Sequence, residues 1–266
     1  MKEPNRTPLA RRARLTLRRA AIRIAQIAIQ IRSRPFEPGQ LDAVLVVAPH
    51  PDDETFGCGG TLALMAAGGL NPSVVFVTDG GGSHPLHPTL SRAELSSRRK
   101  LEAMEALSTL GVGRERVTFI DAIDGTLSRL AGPRLTEVID RIAALLARLR
   151  PAAIFLPARD DGSSEHDAAF IMVRLALEKA ALKPRIFEYP IWSWWNPLRL
   201  VRPVFARGAI WRVVLGPAAR LKASAIAAYT SQTHPIPPEA SPSLPEGFAL
   251  MFQRGDEFFL ERREVK

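Results

Sequence analysis

Residues 43–60 read AVLVVAPHPDDETFGCGG. An aliphatic run ends at Pro49, and His50, Asp52, Asp53 and Glu54 follow at once. Hydrophobicity that is continuous rather than alternating marks a strand buried on both faces, as in a parallel sheet. Four more runs share the pattern: SVVFVTDGGG (73–82), RVTFIDA (116–122), AAIFLPA (152–158) and PRIFEYP (184–190). Segments of helical character cover 59–68, Ser91–Leu110, Arg134–Arg150, His166–Leu182 and Pro217–Ser231. This alternation predicts an α/β fold, a parallel sheet with helices on both faces. Right-handed crossovers place every loop that follows a strand on one rim, where open α/β sheets bind ligands. The ionisable cluster after the first run is expected on that rim.

A chain of 266 residues holds one large domain, or one domain with appendages. Apolar residues at 46% and charged residues at 24% are ordinary for a soluble globular protein. Cys58 is the only cysteine, which excludes an intramolecular disulfide framework and a CxxC zinc cluster. The formal charge of +9 is local. Residues 1–36 carry ten of the 36 Lys/Arg and one of the 27 acids, which leaves 26 of each for the other 230 residues. The body is therefore no generic polyanion binder, and no nucleic-acid partner is expected.

The basic segment reads as a helix. Leu17, Ala20, Ala21, Ile24, Ile27, Ala28 and Ile31 recur at helical spacing, although Ile22 and Ile29 interrupt the division into faces. Arginines break the apolar run and no small-residue cleavage site follows, so it is not a signal peptide. It is too short and too charged to span a bilayer. Three readings stay open: a surface helix on anionic lipid, a helix packed on the domain with a solvated arginine face, and a frayed extension.

His166 lies past the end of the 152–158 run. If that strand neighbours the first, His50, Asp53 and His166 converge. Two imidazoles and one carboxylate with a position left for water suit a catalytic zinc site. Asp52 is then a spare carboxylate able to move a proton from an activated water to a leaving group. The same acids also suit magnesium, or a helix cap.

APHPDDETFGCGGTLA resembles the signature of the PIG-L/LmbE-like N-deacetylase family, a His-Pro-Asp-Asp-Glu motif directly after the first strand. VTDGGG, RAELSSRRKLEAMEALSTLGV, FIDAIDGTL, PARDDGSSEHDAA and KASAIAAYTSQT match further family segments, so the resemblance runs over roughly 42–260. It implies a Rossmann-like three-layer sandwich with a mostly parallel central sheet. The domain would cover 37–266 behind the basic amphipathic extension 1–36. It also implies Zn2+ on His50, Asp53 and His166, with Asp52 as general base. The reaction would be hydrolysis of an N-acetylglucosamine-type acetamide in a glycoconjugate or glycolipid precursor. Arg99 and Asp124 resemble sugar-hydroxyl contacts; an Arg99–Glu102 ion pair on the helix surface and a turn aspartate are their structural alternatives. Glu54 is expected to order the loop.

One motif departs from the family pattern. Its second motif usually reads His-Pro-Asp-His, and this chain has Ser163-Ser164-Glu165-His166. The ligand histidine is kept, whereas a serine replaces the histidine that helps stabilise the transition state in the family. Ser163 is then a substrate-side hydroxyl that donates a hydrogen bond but carries no positive charge. Loss of such a donor costs roughly 100- to 1000-fold in rate. His84, His87 or Arg159 could fill the role; otherwise the enzyme is slow, or a metal-containing protein that binds glycan or lipid headgroup remains.

Other features have plainer readings. His84 and His87 lie in a Gly/Pro-rich loop that could form a lip over the site, with solvent-exposed loop histidines as the plainer reading. Trp192, Trp194 and Trp195 suit a sugar platform or a packed apolar patch. Arg199, Arg202, Arg207 and Arg212, interleaved with Val204, Phe205, Ile210 and Trp211, form a second basic stretch that could reinforce the first at a lipid surface. Cys58 is expected buried and inert. Residues 233–248 are proline-rich and expected to be irregular. The expected setting is the cytoplasm, with peripheral attachment to the inner membrane face if residues 1–36 follow the lipid reading; the oligomeric state is left open.

Overall fold

The structure, a computed structural model, describes residues 8–196, 199 and 208–262, with side chains from Ala20 onward. The elements in chain order are α1 (Pro8–Arg32), β1 (Arg34–Pro35), β2 (Val44–Ala48), α2 (Asp53–Ala67), β3 (Ser73–Thr78), α3 (Arg92–Thr109) and β4 (Val117–Ala122). They continue with α4 (Gly132–Leu149), β5 (Ala153–Pro157), α5 (Ser164–Lys179), β6 (Arg185–Tyr189), β7 (Ala209–Val214), α6 (Ala218–Ala228), α7 (Thr230–Thr233) and β8 (Asp256–Glu261).

The strands form one eight-stranded sheet in the order β1-β7-β8-β6-β5-β2-β3-β4. All pairs are parallel except those of β8, which runs antiparallel to β6 and β7. Every residue of β2, β3 and β5 is buried, as their unbroken aliphatic runs require. One face of the sheet packs against α2, α3 and α6 through Leu62, Met65, Leu107 and Ile226. The other packs against α4 and α5 through Ile142, Leu146 and Val173. The chain moves outward from β2 to β3 and β4, then returns to place β5 on the other side of β2. Val46 thus sits beside both Val74 and Phe155. This reversal opens a crevice at the carboxyl ends of β2 and β5, the binding position of a doubly wound sheet.

Three expectations need correction. The helix expected from residue 59 begins at Asp53, because Asp53 and Glu54 fill an acidic first turn that favours the positive helix N-terminus. The helix expected over 217–231 breaks at Tyr229 into α6 and α7. Strands β7 and β8 were not anticipated. Their burial alternates rather than running unbroken, so a search for continuous aliphatic segments passes over them.

The N-terminal helix also packs differently from its expected face. Ile22, Ala25 and Ile29 are buried against the sheet, while Ile24, Ile27 and Ile31 are 69%, 51% and 78% exposed. The residues that interrupted the expected face are those that dock. β1 continues the attachment by pairing with β7. Residues 1–7, the side chains of 8–19, and Arg202, Val204, Phe205 and Arg207 of the second basic stretch lie outside the described residues.

Candidate active site

The loop after β2 holds Asp52 at φ 143°, a conformation that costs a non-glycine residue strain. Local bonds impose it. The Asp52 N–H donates to Glu54 Oε2 at 3.0 Å, and its carbonyl accepts from Thr55 and Phe56 N–H at 3.1 and 2.9 Å. Glu54 is fully buried and its other oxygen accepts from Thr55 Oγ1 and from the Tyr229 hydroxyl. Burial pushes the Glu54 carboxyl up to about 7. Arg99, reaching across from α3, donates to the Pro51 carbonyl at 2.6 Å and the Gly80 carbonyl at 2.9 Å, and lies 3.1 Å from Asp52 Oδ2. Arg99 therefore serves Asp52, and the alternative ion pair with Glu102 is not among its contacts. Glu102 instead accepts from Arg98, Thr230 and Ser231.

The fold brings His50, Asp53 and His166 together at the crevice. Asp53 Oδ2 lies 3.1 Å from His50 Nδ1 and 3.4 Å from His166 Nε2. One ligand atom from each residue falls within 4.8 Å of the others. Each imidazole turns its second nitrogen to a carboxylate: His50 Nε2 lies 3.2 Å from Asp124 Oδ1, and His166 Nδ1 lies 3.0 Å from Asp161 Oδ2. That partner fixes a metal-binding tautomer and orients the ring. His166 is fully buried, and its Nε2 has no hydrogen-bond partner. A buried imidazole nitrogen left open toward a carboxylate and a second imidazole fits a divalent cation.

The site's charges agree with this fit. Burial would raise the Asp53 carboxyl, but the charge of His166 and the hydrogen-bonded His50 imidazole hold it well below the usual range. Burial would lower His166, yet Asp53 and Asp161 raise it to about 9. His50 is likewise raised against burial by Asp124 and Asp53. The crevice thus favours positive charge at the point where the three ligand atoms meet. Burial pushes Asp52 up to about 7 against the pull of Arg99.

A cavity of about 480 Å³ opens above these groups, a size suited to a small ligand. His50, Asp52, Asp53, Arg99, Asp124 and Ser163 all line it, with Trp192 and Phe248 on an apolar wall. The two rings of that wall pack with centroids 4.9 Å apart, whereas Trp194 is buried. Asp124 also accepts from Gly82 N–H at 2.8 Å, so it ties the loop after β3 to His50.

Ser163 is the N-cap of α5, its hydroxyl accepting from His166 N–H at 3.4 Å. None of the expected stand-ins for the missing imidazole lines the cavity. His84 bonds Glu239 at 2.5 Å and the Ser231 carbonyl at 2.9 Å, His87 bonds the Pro237 carbonyl, and Arg159 pairs with Glu188 at 3.0 Å. Their loops are joined to the 233–248 segment and to β6 instead. Glu165 does face the cavity; its Oε2 accepts from Gly125 N–H, and its Oε1 is buried without a partner. Cys58 is fully buried and burial pushes its thiol up, which leaves it inert.

Sequence reasoning gave Asp161 no role. It is fully buried and accepts from the N–H groups of Ile191, Trp192 and Ser193 as well as from His166. The available signal was an acid five positions before a ligand histidine in the same loop. If His50, Asp53 and His166 hold a divalent cation, replacing Asp161 with asparagine is expected to weaken that cation's binding by about 10- to 100-fold, read by competition with a chromophoric chelator. Unchanged affinity would show that His166 needs no such partner.

A doubly wound sheet with two imidazoles and a carboxylate meeting at its reversal point defines a Rossmann-like α/β protein with a cation-type site. The family model of PIG-L, the GlcNAc-PI de-N-acetylases, matches residues 45–177, and the chain belongs to this family. A 1D-myo-inositol 2-acetamido-2-deoxy-alpha-D-glucopyranoside deacetylase of Kineococcus radiotolerans is 27% identical over 200 residues, 62% of this chain and 55% of the relative. The chain spans about half the length of most curated relatives it matches, and these are deacetylases. Among solved structures, the N,N'-diacetylchitobiose deacetylase of Pyrococcus horikoshii is 19% identical, covers 93% of this chain and 84% of its own, and has a TM-score of 0.56. The 4-carboxy-2-hydroxymuconate hydratase GalB of Pseudomonas putida is 18% identical, covers 85% and 99%, and has a TM-score of 0.61. At such identities the two likenesses show the fold alone. The described residues include no helix long and apolar enough to cross a membrane.

Proposed function

We propose that this chain is a zinc-dependent N-deacetylase that hydrolyses the acetamide of an N-acetylglucosamine-type amino sugar in a glycoconjugate or glycolipid precursor. The carrying observation is the open Nε2 of buried His166, which faces Asp53 and His50 beside the pinned carboxylate of Asp52. Deacetylase relatives support the reaction class. His50, Asp53 and His166 would hold the zinc, which when bound polarises the acetamide carbonyl and acidifies water.

The remaining work falls to side chains. Asp52 takes a proton from the attacking water as the new C–O bond forms, and gives it to the nitrogen as the C–N bond breaks. Acetate and a free amine result. Arg99 keeps Asp52 aimed, and Asp124 keeps the His50 ring turned. Trp192 and Phe248 offer a face for the sugar ring.

A second reading has its own observation. The Ser163 hydroxyl caps α5, and His84, His87 and Arg159 are engaged away from the cavity. Without an imidazole there, a metal-containing protein that binds glycan or lipid headgroup is the alternative. Acetate release from a panel of N-acetylglucosamine conjugates separates the two. The expected result is release that a chelator abolishes and zinc restores. A flat panel from zinc-loaded protein that still binds a conjugate would favour the binder.

A further inference from the structure

Helix α1 carries two apolar stripes, and the domain uses one of them. Ile22, Ala25 and Ile29 are 7%, 1% and 4% exposed and belong to the core under the sheet. That stripe anchors the helix in one rotational setting. Ile24, Ile27 and Ile31 then line a second stripe that faces solvent at 69%, 51% and 78% exposure. Exposed Ala20 extends the same line toward the helix N-terminus. Arg23 and Arg32 are exposed on the same helix, and Arg34 is exposed just past its end. Seven more bases precede residue 20, so the first 36 residues hold ten bases against one acid, while the rest of the chain is neutral.

We infer that α1 is a docking surface for an anionic lipid bilayer, lying in the interface with Ile24, Ile27 and Ile31 inserted and the arginines on lipid phosphates. This inference stands apart from the hydrolase reading. Its physical basis is the pairing of an apolar strip with local positive charge, the combination that holds an amphipathic helix at a membrane surface. A neutral body adds no repulsion and no competing attraction. Nucleic acid is a poorer match, since single strands need aromatic faces and residues 20–32 contain none. A second copy is disfavoured because it would bring two +9 segments together.

Cosedimentation of the full chain tests this with vesicles of phosphatidylcholine alone and of phosphatidylcholine with phosphatidylglycerol in equal parts. Binding is expected only to the anionic vesicles and should weaken as salt is raised. The combined variant Ile24→Ser, Ile27→Ser, Ile31→Ser should lose roughly tenfold or more in partitioning. Its thermal midpoint should stay as in the wild type, because all three side chains face solvent. Absence of wild-type binding to anionic vesicles overturns the proposal. So does binding unaltered in the variant, which would leave charge alone as the cause. If the variant instead abolishes a concentration-dependent dimer seen by ultracentrifugation without lipid, the stripe belongs to a second copy. RNA binding that the variant leaves intact, with no vesicle binding, also overturns it. None of these readings depends on acetate release or zinc content.

Discussion

Asp52→Asn should lower kcat by about 100- to 10,000-fold on any conjugate the wild type hydrolyses, with the zinc still bound. The argument rests on what Asp52 touches. It lies beside the His50, Asp53 and His166 group without belonging to it, and its carboxylate is aimed by Arg99 at 3.1 Å. Asparagine keeps the shape and tolerates positive φ better than most residues, so the 143° backbone should persist. It accepts no proton, so the proton transfer is removed, while the Pro51 and Gly80 carbonyls still hold Arg99 in place. Steady-state acetate release and elemental analysis of the same sample check the result. Retained activity would place the base elsewhere. Loss of zinc with activity would make Asp52 a ligand.

The second large effect concerns stability. Glu257 on β8 and Lys222 on α6 form a buried ion pair at 2.7 Å, exposed by only 4% and 2%. Glu257 also accepts from the N–H groups of Gly60 and Thr61 at 2.8 Å each and from Thr61 Oγ1 at 2.6 Å. Lys222 further donates to the Phe56 carbonyl at 2.6 Å. One carboxylate thus ties α2, whose first turn supplies Asp53, to α6 and β8. Glu257→Ala leaves Lys222 buried without its counter-charge and should cost about 3–5 kcal/mol. In a chain of this size that lowers the thermal midpoint by about 10 °C, read by calorimetry. Adding Lys222→Met should recover part of the loss, because the stranded charge goes with it. A midpoint unchanged in the single variant would mean that water reaches the pair.

Several structural contacts had no local signature. Arg99 meets the Pro51 carbonyl across 48 positions, Tyr229 meets Glu54 across 175, and Glu257 meets Gly60 across 197. Nothing near Arg99 separates a partner on the next helical turn from one on another strand, and the Glu102 alternative was equally consistent with the spacing. Ser163 is similar. Its identity says that an imidazole is missing, but only the α5 cap shows where the hydroxyl is engaged.

By itself the sequence determined the five parallel strands β2 to β6 and the place of the ionisable cluster after β2. Short aliphatic runs bounded by turn residues and alternating with helical segments fit the strands of a parallel sheet, and a charged string directly after one leaves the sheet at its rim. The tertiary structure alone decided which stripe of α1 docks, which acids orient His50 and His166, and where β7 and β8 join. The reason is that helical periodicity states that a face exists without stating what it meets. Two isoleucine stripes on one helix are equivalent until a sheet covers one of them. A carboxylate acquires its role from the donors that folding brings within about 3 Å, and those come from anywhere in the chain.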